Sequence, residues 1–232
     1  MNTDTIKKRC AKKALDFIAN DTIIGLGGGS TISYLIEYLQ SEPQLRVQIV
    51  TPSNTTRMLC IKNRLEVLPT SSISSISVAF DGCDEVDEQL YALKSGGGIH
   101  AQEKLIASMA ADYILLVDES KFVSSLTCQH PIVLEILPES LCYVEKMIRQ
   151  LGGETSIRKS AEKDGFTISD NGNLLMDVHF NQVDDFAILQ QTLISICGVI
   201  ETSLFTKKVT KVLLATENDF QLISKTTNEV IL

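Results

Sequence analysis

Between Asp4 and Ala19 the apolar residues Ile6, Ala11, Ala14, Leu15 and Ile18 recur at the spacing of one helical stripe, with Thr3 or Asp4 placed to cap it. A short apolar run, TIIGL, follows, then the turn GGGS and a second helical stretch, TISYLIEYLQ, which Pro43 follows. The order of strand then helix recurs in VQIV with NTTRMLCIKNR, and again in SISVAF, after which QEKLIASMAA leads into YILLVD. Apolar runs of this kind are strands buried on both faces, and their alternation with helices predicts a mainly parallel sheet covered on either side.

After Thr127 the order changes. IVLEIL reads as a strand, ESLCYVEKMIRQL as a helix and SIRK as a weak or frayed strand; FTIS and LLMDVHF around DNGN read as a hairpin, DDFAILQQTLISI as a helix and VIETSLF as a strand. This is close to βαββαβ, the split unit of ferredoxin-like domains. A last apolar run, VTKVLLAT, is expected to return to the first sheet. The expected fold class is therefore α/β: a Rossmann-like, mainly parallel sheet domain formed by residues 1–127 plus 206–232, and a second, smaller α+β ferredoxin-like domain formed by residues 128–205.

Composition narrows the possible functions. The chain has 232 residues, 44% of them hydrophobic and 22% charged, enough to bury one large core or two small ones. A formal net charge of -8 disfavours a protein whose main task is to hold nucleic acid, where phosphate neutralisation dominates. The basic run Lys7, Lys8, Arg9, Lys12 and Lys13 reads as one solvated helix face, with one lysine able to reach an anionic ligand. No apolar run reaches the roughly 18 residues that span a bilayer, and MNTDTIKKRCAKK lacks the apolar core of a secretory signal, so a cytoplasmic protein without a membrane partner is expected. Cys10, Cys60, Cys83, Cys128, Cys142 and Cys197 lie far apart with no CxxC pair or accompanying histidine spacing, which suggests reduced, structural thiols and no zinc.

Three loops carry the candidate chemistry. GLGGGST, Gly25 to Thr31, joins a buried strand to a helix, and its glycines let the backbone approach an anion at the helix N-terminus. It is neither a dinucleotide fingerprint nor a Walker loop, because Ser30 or Ile32 stands where the third glycine belongs and Gly29 where the lysine belongs. DGCDEVD fails as a calcium loop, with Cys83, Val86 and Ala92 at ligand and turn positions. Asp81 instead follows SISVAF directly, at the carboxyl end of a buried strand, where open α/β sheets place ligands. Asp81 and Asp84 can face one pocket there, while Glu85, Asp87 and Glu88 read as surface charges. In LKSGGGIHAQEK, Lys94 precedes a glycine turn and Glu103 lies in the first turn of an apolar helix. A lysine, two aspartates and a glutamate near a phosphate loop are the groups needed to move protons on a sugar phosphate.

GLGGGST, SNTT (Ser53 to Thr56), DGCDEVD, KSGGGIHAQEK, DESK (Asp118 to Lys121) and DNGNLLMDVHF stand in the order and spacing of the ribose-5-phosphate isomerase A family, which the chain resembles over essentially its whole length. The resemblance implies an isomerase, independent of metal and of any cofactor, that interconverts D-ribose 5-phosphate and D-ribulose 5-phosphate in the non-oxidative pentose phosphate pathway. It also implies a homo-oligomer, commonly a homodimer. Its substrate contacts fall on Gly28, Gly29, Ser30 and Thr31, on Asp81, Gly82, Cys83 and Asp84, on Lys94, Ser95, Gly96 and Gly97, and on Lys121, and its general base falls on Glu103. The family usually has threonine at Gly28 and glycine at Ser95, and Ile99, His100, Ala101 and Gln102 also depart from its pattern. A non-glycine residue at position 95 is strained if that position needs positive φ.

On this reading Glu103 moves a proton from C2 to C1 through a cis-enediolate, and Lys94 with backbone N–H groups stabilises that anion. Asp81 assists ring opening while Asp84 orients Lys94 or a hydroxyl, or the two exchange roles. The phosphate anchors at Ser30, Thr31 and the helix start, with Lys121 assisting and Lys7 a further candidate. His100 receives a structural or rim position. Two other classes remain open from the residues: a different sugar-phosphate or coenzyme A thioester catalyst on a related sheet, which DGxDE with KxGGG disfavours, and a non-catalytic sugar-phosphate sensor.

Overall fold

The structure, a computed structural model, describes residues 3–160 and 164–225. Helix α1 (Thr3–Ala14) precedes strand β1 (Thr22–Leu26), α2 (Ser30–Ser41), β2 (Val47–Val50), α3 (Asn54–Lys62) and β3 (Glu66–Val67). Strand β4 (Ile76–Asp81) leads through the short strands β5 (Glu85–Asp87) and β6 (Ala92–Leu93) to α4 (His100–Met109), β7 (Ala110–Asp118) and β8 (Phe122–Val123). Then come β9 (Ile132–Ile136), α5 (Leu141–Gln150), β10 (Glu154–Ile157), β11 (Leu174–His179), α6 (Phe186–Ser195), β12 (Val199–Thr202), β13 (Leu204–Phe205), β14 (Lys211–Ala215) and β15 (Phe220–Ser224).

The main sheet has seven strands in the order β15-β14-β7-β4-β1-β2-β3, parallel throughout except for β15, which pairs antiparallel with β14. Its faces are covered because each helix presents one apolar stripe. On α2, Ile32, Leu35, Ile36 and Leu39 are buried at i, i+3, i+4 and i+7 against Ala11 and Ala14 of α1 and the first face of the sheet. On the other face, Ile106 and Ala107 of α4 pack with Tyr113, Leu115 and Val86. Each such fully buried leucine or isoleucine contributes about 1.5–3 kcal/mol relative to an exposed one. The chain runs from β1 outward through β2 to β3, then returns past β1 to β4 and onward to β7. The crevice between β1 and β4 is thus the point where the strand order reverses, the place such sheets offer to ligands.

The second sheet, β10-β11-β9-β12, is wholly antiparallel and packs Leu134 and Met176 against Val144 and Ile148 of α5 and Leu193 of α6. A third sheet, β13-β6-β5-β8, has four very short strands. Ser203, between β12 and β13, joins the sheets: its N–H and hydroxyl bond the backbone of Val133 at 2.8 Å each, and its carbonyl accepts the Lys94 N–H at 3.0 Å. Among the described residues no helix is long and apolar enough to cross a membrane.

Several expectations change. VIETSLF is two strands in two sheets rather than one, broken at Ser203. FTIS makes only isolated bridges, at Phe166 and Ile168. The edge strand β15 had no strong signal, since FQLIS is short and half exposed. Residues 226–232, assigned from sequence to the first domain, lie outside the described residues.

Glu85 and Asp87 are not surface charges; both are buried, at 5% and 2% exposure. Backbone donors replace their water: Glu85 accepts from Thr127 N–H and hydroxyl, and Asp87 from the N–H groups of Gln89, Tyr91 and Leu126. The basic run on α1 is not one solvated face either. Successive residues on a helix diverge in direction, so Arg9 reaches the carbonyls of Thr216 and Glu217 and stacks on Phe220, Lys8 pairs with Asp4, and Lys7 lines the cavity described below. Of the cysteines, all free, only Cys10, Cys60 and Cys83 are buried as structural thiols; Cys142 and Cys197 are exposed.

Candidate active site

Asp81 ends β4 beside the end of β1, where the register pairs Leu26 with Phe80. Its carboxylate is 2% exposed and accepts from the N–H of Gly82 at 2.8 Å, the N–H of Gly28 at 3.3 Å and the hydroxyl of Tyr113 at 2.9 Å. Gly27 makes room for it, because a Cβ at that position would lie 2.0 Å from Asp81 Oδ1. Gly27→Ala is therefore expected to displace Asp81, costing about 1–3 kcal/mol of stability as an overpacked site and most of the activity. Denaturant unfolding and steady-state kinetics of the variant check this, and wild-type values in both would show that the contact is relieved without moving Asp81.

Two residues further on, Gly29 takes φ +98° as the N-cap of α2, a conformation that suits glycine. The first N–H groups of α2, at Ser30 and Thr31, consequently open toward the same space. Lys7, Thr31 and Lys121 gather there, and the Lys121 ammonium is steadied by the Cys83 carbonyl at 2.6 Å. Gly28 is not crowded: an added Cβ would meet only Ser53 at 3.8 Å, so the threonine usual in the family would fit.

Lys94 follows β6 and is 7% exposed. Its three ammonium hydrogens have three acceptors: Asp81 Oδ2 at 3.1 Å, Glu103 Oε1 at 3.3 Å and the carbonyl of Gly82. Burial by itself would lower its pKa, but the Asp81 and Glu103 carboxylates outweigh that and hold the ammonium above its ordinary range. Glu103, in the first turn of α4, is also 7% exposed. Burial pushes its carboxyl well above the ordinary glutamate value, Lys94 opposes the shift and Asp81 adds to it. The result is a strong base held beside a permanent cation.

Asp84 contacts the lysine–glycine loop rather than the lysine head. Its Oδ2 accepts the Ser95 N–H at 2.6 Å. Ser95 is not among the residues of positive φ, and its hydroxyl donates to the Pro131 carbonyl, so the strain anticipated from sequence does not arise there. The Cys83 side chain is buried, and burial pushes its thiol up to about 12, so it meets the site as an unreactive wall.

His100 lies on α4 but outside the site, fully buried. Burial, reinforced by Lys104, lowers its pKa to about 4, so the neutral ring donates through Nε2 to the Glu201 carbonyl at 3.3 Å. Lys104 bonds Glu201 and the Thr202 carbonyl, each at 2.7 Å, and the two residues pin α4 to β12, which fixes the helix whose first turn carries Glu103.

Gly28, Ser30, Asp81, Asp84, Lys94 and Glu103 all line one cavity of about 610 Å³, as do Gly29, Thr31, Gly82, Cys83, Gly96, Gly97 and Lys121. Ser95 alone among the expected contacts does not line it and instead anchors the loop. Reasoning from sequence missed Tyr113, which bonds Asp81, Arg158, which bonds the Ser95 and Gly96 carbonyls, and Asp170, which lines the cavity. Tyr113 and Arg158 sit in segments read only as strands, and no local motif marks them; Asp170 opens DNGN, where the motif was noted but no role assigned. A larger cavity of about 870 Å³ beside α1 and Phe220 lacks this chemistry, its ion pair Lys13–Asp16 being half exposed. Among the described residues no group of three or more His, Cys, Asp and Glu side chains could hold a metal ion.

Comparison with known proteins agrees over nearly the whole chain. The family model for ribose 5-phosphate isomerase A (phosphoriboisomerase A) matches residues 48–219. Ribose-5-phosphate isomerase A of Methanocaldococcus jannaschii is 36% identical over 229 residues, covering 97% of this chain and 100% of that protein. The protein of that name from Prochlorococcus marinus is 37% identical over 213 residues, covering 90% of each. The solved M. jannaschii structure superposes with a TM-score of 0.91 at 35% identity, covering 97% of this chain and 100% of its own. A solved D-ribose-5-phosphate isomerase in complex with phospho-erythronic acid superposes with a TM-score of 0.92 at 33% identity and the same coverage. The match in sequence, in family model and in three dimensions establishes that the chain belongs to the ribose 5-phosphate isomerase A family, a family of isomerases.

Proposed function

We propose that Glu103 carries a proton between C2 and C1 of open-chain ribose 5-phosphate while Lys94 holds the enediolate that forms between the two steps. The protein is a ribose-5-phosphate isomerase, interconverting D-ribose 5-phosphate and D-ribulose 5-phosphate. The observation that carries the mechanism is the contact of one ammonium with two carboxylates, at 3.1 and 3.3 Å, on the wall of a cavity that also holds a helix N-terminus.

The anionic phosphate is held by the first N–H groups of α2, the Ser30 and Thr31 hydroxyls, Lys121 and Lys7. With that end fixed, the reacting carbons are oriented by binding energy paid far from the chemistry. Negative charge builds on the C1 and C2 oxygens during proton transfer, so Lys94 stabilises the enediolate more than the neutral carbonyl. Asp81 positions Lys94 directly; Asp84 fixes the Lys94 to Gly97 loop, and both face the sugar hydroxyls for the proton movements of ring opening. Phospho-erythronic acid, held by the solved relative, is a phosphorylated sugar acid whose planar carboxylate resembles part of an enediolate, which supports the same reading here.

The reading includes the division into residues 1–127 with 206–232 and residues 128–205, a cytoplasmic location and a homodimer. Light scattering should give twice the 25.5 kDa chain mass; a mass of one chain removes the dimer. Incubation with ribose 5-phosphate should yield ribulose 5-phosphate without added metal or cofactor, whereas binding without ketose formation would favour a sensor.

A pH profile tests the base. Because the protonated form of Glu103 is inactive and its pKa in the free enzyme is raised, kcat/KM should fall as pH drops through a value well above the 4.5 of an ordinary glutamate. The second ionisation of the substrate phosphate, near about 6, adds a separate limb that phosphate-ligand binding alone reveals. Activity that persists undiminished to the ordinary carboxylate range would contradict a buried base.

A further inference from the structure

Arg158, just beyond β10 in the second sheet, reaches across to the lysine–glycine loop. Its Nη1 donates to the Gly96 carbonyl at 2.9 Å and its Nη2 to the Ser95 carbonyl at 2.8 Å. The same guanidinium is itself fixed, since Nη2 and Nε both donate to the carboxylate of Asp177 on β11. Four donor bonds thus lock a planar fork between one carboxylate and two adjacent peptide groups.

The consequence follows from peptide geometry. In a planar trans peptide the C=O of one residue and the N–H of the next point in opposite directions, and the described residues contain no cis peptide bond. Holding the Ser95 and Gly96 carbonyls toward Arg158 therefore turns the N–H groups of Gly96 and Gly97 away from it. Both glycines are exposed and line the cavity that contains Lys94 and Glu103. Neither N–H donates to another protein group among the described residues. Two aimed but unused donors beside a proton-transfer base are the arrangement of an oxyanion pocket. A glycine turn left to itself has no means of keeping that aim, because glycine populates both signs of φ.

We propose that Arg158, anchored by Asp177, is a positioning residue that builds the oxyanion pocket by fixing the Gly96 and Gly97 N–H groups toward the developing enediolate. The proposal rests on the isomerase reading. It assigns the second sheet a part in catalysis, because Arg158 reaches the Ser95 and Gly96 carbonyls from there, adding to the hold that Asp84 has on the Ser95 N–H.

The test compares wild type, Arg158→Met, Arg158→Lys and Arg158→Ala in kcat, KM, and inhibition by phospho-erythronic acid and by inorganic phosphate. In Arg158→Met kcat should fall toward the loss of about 10²- to 10³-fold known for one missing oxyanion donor. KM and inhibition by inorganic phosphate should hold at their wild-type values. Affinity for phospho-erythronic acid should fall in parallel with kcat/KM, since only its planar anionic head meets the pocket. Arg158→Lys should fall between, a lysine offering charge without the fork, and added guanidinium ion should restore part of the rate of Arg158→Ala, which a merely unfolded variant would not show. An unchanged kcat in Arg158→Met, or a loss shared equally by phosphate binding with no rescue, overturns the proposal. Absence of turnover in the wild type would instead defeat the isomerase reading itself.

Discussion

Glu103→Gln is expected to lower kcat by about 10²- to 10⁴-fold, the usual contribution of a general base, while binding of phosphate ligands stays intact. Glutamine keeps the length of the side chain and an oxygen that can accept from Lys94, so the cavity retains its shape. What it loses is the ability to take a proton from C2. At 7% exposure, position 103 has little room for a water molecule to serve in its place. The substitution also leaves one buried carboxylate, Asp81, against the Lys94 ammonium instead of two, so the folded state should lose little stability. Steady-state kinetics with a parallel thermal melt distinguishes the cases: reduced kcat with an intact melt supports the role, and near-normal turnover removes Glu103 from it.

Lys94→Met should have the broadest effect of any single change, because it acts on catalysis and on folding together. On the proposed mechanism the enediolate loses its cation, and turnover should fall to the level left by backbone donors alone. Methionine matches the length of the lysine stem, yet Asp81 and Glu103 then share a buried space with no positive charge. Breaking a buried ion pair in this way costs about 3–5 kcal/mol. The penalty has a sign with pH. Burial has already raised the Glu103 pKa, and removing Lys94, which opposes that shift, raises it further. As pH falls Glu103 protonates and the repulsion is relieved, so the deficit relative to wild type should shrink. Adding Glu103→Gln to Lys94→Met should likewise recover part of the stability. Urea unfolding at two pH values checks both statements, and a deficit independent of pH and of residue 103 would mean the carboxylates are not in one electrostatic unit.

Much of this site is legible in the sequence, for identifiable reasons. Strands β1 and β4 announce themselves as apolar runs, and each is followed at once by the loop that the reversal of strand order brings into one crevice. Asp81, Lys94 and Glu103 are thus placed by topology that the alternation of elements already implies. Glu85 and Asp87 were misread because their partners, the N–H groups of Tyr91, Leu126 and Thr127, come from a turn and a loop whose approach no spacing reveals. Tyr113 and Arg158 escaped for the same reason: each reaches the site only through long-range contacts, Tyr113 with Asp81 across 32 residues and Arg158 with the Gly96 and Ser95 carbonyls across 62 and 63. Ser95 shows the opposite error. A rule about glycine replacement suggested strain, and the backbone there has no need of positive φ.

Ribose 5-phosphate in deuterated water, followed by nuclear magnetic resonance with wild type and Glu103→Gln side by side, most directly tests whether one carboxylate moves the proton. Wild type should form ribulose 5-phosphate carrying deuterium at C1, and the variant should form neither ketose nor label at a comparable rate. Ketose or label appearing in Glu103→Gln as fast as in wild type would contradict proton transfer by Glu103.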